Sequence, residues 1–151
     1  MNTAFVVAGL VAIVSTLMVI VQRNAVHALL YLIVSLFALA VTMFLLGAPF
    51  VAALEVIVYA GAIMVLFVFV VMMIGAESSR VESRAWIGPS LLGLVLLAEL
   101  AWVLLLAPTA AAKVGAPVVG VSPKELGIAL LGPYLVGVEI AAFLLLAGLV
   151  G

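Results

Sequence analysis

The chain has 151 residues, of which 70% are apolar and 7% charged, and its mean hydropathy is +1.64. Repeated apolar runs of about 20 residues at that composition identify an all-α, polytopic membrane protein rather than a soluble domain. A net charge of −1 argues against a nucleic-acid partner. The absence of cysteine excludes disulfides and thiolate-held iron–sulfur centres, and one histidine with no aspartate leaves too few ligands for a private metal site.

The apolar runs predict five transmembrane helices in one membrane domain, 1–151: about 3–21, 25–46, 50–74, 87–107 and 128–150. Each would reach roughly 28 Å or more, enough to cross the hydrocarbon core. No basic region precedes the first run (MNTAFVVAGL), so it reads as a retained span and not a cleaved signal. Gln22-Arg23-Asn24 is too polar to continue that span, and Asn24 is placed to cap the second. Gly47-Ala48-Pro49 predicts a tight hairpin, with Gly stopping one helix and Pro opening the next.

Residues 77–84 form the charge-dense connection, followed by Trp86 at the expected interface. The last connection, Pro108 to Gly127, is longer. Within it Ser122-Pro123-Lys124-Glu125 has the spacing of a capping box opening a short helix. Gly132-Pro133 is expected to interrupt or bend the way into the fifth span. The sequence stops at Gly151 directly after an apolar run, where a polar tail is expected. No internal repeat is evident, which weighs against a transporter of duplicated halves. Arg23, Arg80 and Arg84 fall on one side of the membrane and Lys113 and Lys124 on the other, which favours an outside N-terminus and a cytoplasmic C-terminus.

Three carboxyl groups lie inside spans: Glu55, Glu99 and Glu139. A carboxylate at the bilayer centre costs about 2.5–3.5 kcal/mol on insertion scales, so such residues face protein or water and serve ion or proton pathways. No Lys or Arg lies within any span to pair with them. Each is either a neutral acid hydrogen-bonded between helices or a group served by water or a partner subunit. A 3.6-residue period puts Glu55, Tyr59, Ala62 and Leu66 on one stripe of the third span, with Ala53, Ala60 and Met64 opposite. Gly61 lowers local helix stability and permits either close packing or a π-bulge. On the second span, Ala28, Tyr31, Ser35, Ala38 and Thr42 form a helix-contact face, and His27 at its start reads as a structural hydrogen-bonder. Nothing resembles a nucleophile with its base, a phosphate loop, a haem ligand pair or a nucleotide site.

The run Asn24-Ala25-Val26-His27-Ala28-Leu29-Leu30-Tyr31-Leu32-Ile33 resembles the second-helix opening of subunit J (mitochondrial chain 6) of proton-pumping NADH:quinone oxidoreductase, respiratory complex I. Ala53 to Met73, with Glu55, Tyr59, Ala60 and Gly61, is similar to its third-helix signature. Trp86-Ile87-Gly88-Pro89 and Gly132-Pro133-Tyr134-Leu135 with Glu139 are similar to the starts of its fourth and fifth helices. Glu99 is not part of that pattern. The resemblance implies a five-helix bacterial inner-membrane subunit without cofactors, beside subunits A, H and K and near the quinone-reducing arm. Flavin, iron–sulfur clusters and quinone would belong to other subunits.

The resemblance also implies a π-bulge near Tyr59 whose conversion to regular α-helix makes or breaks a water wire. On that view Glu55 relays protons or orders water, Tyr59 and Gly61 mark the switching segment, and Val65, Phe67 and Phe69 supply apolar gating bulk. Glu139 and Glu99 remain secondary intramembrane acids. Two other readings stay open at this point. One is a related subunit of a multi-subunit cation/proton antiporter or membrane hydrogenase; the other is a purely structural, lipid-sealing assembly subunit.

Overall fold

A computed structural model describes the backbone of residues 3–74, 86–114 and 120–151, and the side chains of all of these except 106–114. In chain order it comprises α1 (Thr3–Val21), α2 (Ala25–Leu45), α3 (Pro49–Leu54), a π-helical segment (Glu55–Ile63), α4 (Met64–Met73), α5 (Ile87–Val114), α6 (Pro123–Leu131) and α7 (Leu135–Val150). The described residues contain no strand, as expected of an all-α membrane protein. Four helices are long and apolar enough to cross a bilayer: α1, α2, the continuous Pro49–Met73 and α5. With α6 and α7 taken as one broken span, the number is five. The charged connection 77–84, with Arg80 and Arg84, lies outside the described residues.

The chain divides into two units, Met1–Val119 and Gly120–Gly151. In the first, α2 is central and touches α1, α5 and every part of the third span. Its buried stripe is His27, Tyr31, Ser35 and Ala38, at helical spacings of four, four and three. Of the contact face expected from the sequence, Tyr31, Ser35 and Ala38 are buried, while Ala28 and Thr42 are half-buried. Val34 and Ala38 of α2 meet Val11 and Ala12 of α1 and Leu96 of α5 in the core. Small residues at this crossing let the backbones approach closely, which is how membrane helices gain packing.

Local chemistry sets the helix ends. The Asn24 side chain accepts from the Val26 amide at 2.9 Å and the His27 amide at 3.4 Å, capping α2. At the other end Gly47 has φ of 83°; its N–H donates to Phe44 O and that of Ala48 to Met43 O. This paired closure is a Schellman motif, and Pro49 then opens α3.

Two boundaries differ from the sequence expectation. The α5 backbone runs to Val114 and does not stop at Ala107. Pro108 forfeits one backbone hydrogen bond, but Ala110, Ala111 and Ala112 after it are the strongest intrinsic helix formers. The expected fifth helix, 128–150, is not continuous: α6 and α7 meet at 84°. Pro133 has no N–H to give, and any Cβ at Gly132 would fall 2.7 Å from Ile128 O. The turn therefore holds Gly-Pro where a straight helix could not. At 16 residues, α7 alone reaches only about 24 Å, so a complete crossing takes in the turn as well. The predicted capping box opens α6: Glu125 N–H donates to Ser122 Oγ at 3.2 Å, and Ser122 N–H to Glu125 Oε2 at 2.9 Å.

Candidate functional site

Along the third span, regular α-helix gives way at Glu55. The Glu55 amide still reaches back to Val51 O, four residues earlier, whereas the Met64 amide reaches Tyr59 O, five residues earlier. The nine residues Glu55–Ile63 are π-helical. π-Helix is rare and mostly confined to single-turn bulges, frequently at functional sites. Here it contains Glu55, Tyr59 and Gly61.

The widened turns change which side chains face α2. Ala52 and Met64 are both buried there, Met64 at 2% exposure. Twelve residues of ideal α-helix, at about 100° each, would leave these two about 120° apart. The π turns absorb that difference, so both ends of the segment pack against α2 together. For the same reason the expected 3.6-residue register fails in two places. Ala52, not Ala53, makes the close approach, and the stripe through Glu55, Tyr59, Ala62 and Leu66 does not run straight. Glu55 is half-buried beside α2, whereas Tyr59 is 50% exposed.

Gly61 is positioned by the same geometry. A Cβ there would lie 3.2 Å from Val56 O, closer than ordinary van der Waals contact. The carbonyl five residues back crowds the place a Cβ would take. Beyond the segment, α4 turns Val65, Phe67 and Phe69 outward, each more than half exposed, and keeps Met64 on α2. The third span thus touches α2 along part of its surface, while Tyr59, Val65, Phe67 and Phe69 are exposed around the rest of it.

Of the secondary acids, Glu99 shares the first unit with this segment but lies on another helix. Glu99 lies on α5, its carboxyl against the Ala8 backbone of α1 but outside hydrogen-bond geometry. Glu139 lies on α7, in the second unit. His27 is buried, and its Nε2 has no hydrogen-bond partner among the described residues.

The sequence reading passed over Ser15 and Thr16. The Thr16 hydroxyl donates to Ala12 O at 2.8 Å and lies 2.8 Å from Ser35 Oγ, tying α1 to α2. The available signal was spacing: Ala8, Ala12 and Ser15 fall on one stripe of α1, small enough for close contact. Gly88 was noted only as part of a motif. In the structure the Tyr31 hydroxyl occupies the place where a Gly88 Cβ would stand.

A family model described as NADH-ubiquinone/plastoquinone oxidoreductase chain 6 matches residues 15–151. Among curated proteins, the NADH-quinone oxidoreductase subunit J of Pseudomonas aeruginosa is 54% identical, the match covering 99% of this chain and 93% of that protein. The subunit J of Escherichia coli K12 is 48% identical over 99% of this chain and 83% of its own. That of Rhodobacter capsulatus is 39% identical over 98% and 77%.

Proposed function

The chain belongs to the NADH-ubiquinone/plastoquinone oxidoreductase chain 6 family, and from that premise we propose that its third span gates a water path coupling quinone reduction to proton translocation. On this reading it is a multi-pass subunit of the bacterial inner-membrane arm, with a periplasmic N-terminus and a cytoplasmic C-terminus. Its neighbours are subunits resembling A, H and K, together with lipid. Flavin, iron–sulfur clusters and quinone belong to those other parts of the complex, and this chain contributes no redox step of its own.

The observation that carries the proposal is the π segment Glu55–Ile63, which encloses the intramembrane carboxyl, the phenol and the glycine in one deformable stretch. Converting π to α geometry shortens each hydrogen-bonded ring by a residue, and each residue shifted turns the following helix by about 100°. A turn of that size carries Tyr59, or the bulk of Val65, Phe67 and Phe69, across the path beside Glu55. Apolar constriction then closes the path by dewetting. The same turn cannot keep Ala52 and Met64 on α2 together, so one contact is given up. Inside a bilayer this loses packing and not burial from water. Its cost therefore stays below the 1.5–3 kcal/mol or so that exposing a methionine to water carries. A neighbouring subunit can supply that much through differential contacts.

Glu55→Gln and Glu55→Ala, assembled into the full complex and reconstituted in proteoliposomes, test the proton role. Both should lower the protons moved per NADH oxidised while the complex still assembles, with Ala the more severe. Full coupling in both variants leaves Glu55 a packing residue and removes the gate.

A further inference from the structure

α7 reads LVGVEIAAFLLLAGLV, and Glu139 is its one polar side chain. The residues that follow, Ile140–Val150, are all apolar and rise about 16 Å, half of the roughly 30 Å hydrocarbon core. Glu139 therefore stands near mid-depth of the span, where a carboxyl is costliest against lipid.

Nothing on α7 relieves that cost. Neither α6 nor α7 has a buried residue, and Glu139 is itself exposed. No hydroxyl, amide or histidine lies on α7 to bond the acid. The cation of this unit is Lys124, in the first turn of α6, and α6 meets α7 at 84°. Across that right-angled turn the helical rise puts Lys124 roughly 14 Å from Glu139, beyond the combined reach of the two side chains. No lysine or arginine lies within the other spans of the chain. The side of α7 that carries Glu139 also presents Leu135, Ala142, Phe143 and Leu146, three, four and seven residues from it and all exposed. Ala142 lets a neighbouring backbone close in, and Phe143 offers a ring to pack on.

We propose that this side docks a membrane span of a neighbouring subunit, one that bears a lysine or arginine opposite Glu139. Charge complementarity selects that occupant. An acid and a base that are each costly against lipid are tolerated as a pair, so α7 and a basic span each supply what the other lacks. A span without a base would leave Glu139 to be neutralised by a proton, and lipid would leave it no partner at all. The pairing rests on the chain's place as one subunit of the complex, and not on the gate. It is a contact of the resting complex, so either proposal can fail while the other stands.

Cross-linking and paired substitution in the assembled complex test it. With benzoylphenylalanine replacing Phe143 and Glu139 intact, illumination should join α7 to a span of another subunit. A lysine or arginine should lie within about two helical turns of the attachment point. Adducts only with lipid, with this chain itself, or with a span lacking a base overturn the proposal. Glu139→Leu should lower the amount of this chain retained in the purified complex at least about tenfold, because it strands the partner's cation. Replacing that basic residue by leucine as well should restore retention, since two apolar residues can stand in for a buried pair. Retention unchanged in Glu139→Leu, or not restored in the double variant, overturns the proposal.

Discussion

Substitution of Gly61 should perturb the π and α forms of the third span unequally, and the contact at Gly61 sets the direction. In the π form an added Cβ meets Val56 O at 3.2 Å, so the backbone must give by a few tenths of an ångström. Angle or peptide-plane adjustments of that order cost up to about 1 kcal/mol. In the α form residue 61 bonds four residues back, and the carbonyl of Val56 moves out of its path. The intrinsic helical gain of Gly→Ala, also about 1 kcal/mol, applies to both forms and cancels. Gly61→Ala should therefore shift the balance towards α by at most about fivefold. Gly61→Val adds two further methyls against the same carbonyl, an overpacking of about 1–3 kcal/mol, or roughly 5- to 150-fold. The assay is NADH:quinone turnover and protons per NADH in reconstituted complex, with assembly checked separately. Ala should give a modest loss and Val the loss of most coupled activity. A Gly61→Val complex that assembles with both quantities unchanged refutes the reasoning.

Three further outcomes follow from the packing and the caps. Gly88→Ala drives a methyl into the buried Tyr31 hydroxyl and should destabilise the α2–α5 contact by about 1–3 kcal/mol. Thermal inactivation of the complex should come earlier in Gly88→Ala and be partly restored by adding Tyr31→Phe; no rescue would place the defect elsewhere. Gly47→Ala puts a side chain at φ 83° and should cost about 1–2 kcal/mol, read as lower yield of assembled complex, whereas an unchanged yield would mean the hairpin has another form. Ahead of the fifth span, the backbone amide of Ser122, and then its side chain, hold the Glu125 carboxyl below the ordinary carboxylate range. A depressed carboxyl stabilises the cap above its unfolded value, about 4.3, and loses that effect as pH falls through the folded value. Protection of the first-turn amides of α6, taken as exchange relative to the intrinsic rate at each pH, should be present at neutral pH and fall in acid, a dependence that Glu125→Gln abolishes. The same acid response in Glu125→Gln would assign it to another group.

The features legible in the sequence are those set by local chemistry. Asn24, Gly47-Ala48-Pro49 and Ser122-Pro123-Lys124-Glu125 announce their turns and caps because each satisfies backbone groups within a few residues. The spans follow from apolar length alone, and the α2 contact face from a regular 3.6-residue period. That period misled on the third span. Ala52 and Met64 share a side only because the π turns between them take extra residues, and no spacing rule displays that. Glu55, Tyr59 and Gly61 could be picked out as chemistry in an apolar run, but their relative directions depend on the helical form. The core of Val11, Ala12, Val34, Ala38 and Leu96 draws on three helices and becomes visible only when tertiary contacts bring α1, α2 and α5 together.

Structures of the assembled complex at rest and during turnover, at a resolution that shows ordered water, test the central claim most directly. The account predicts Glu55–Ile63 as π-helix in one state and regular α-helix in the other, with Tyr59 swung by about 100° and ordered water reaching Glu55 in one of the two. A third span of identical geometry in every state, with Glu55 packed dry throughout, would contradict it.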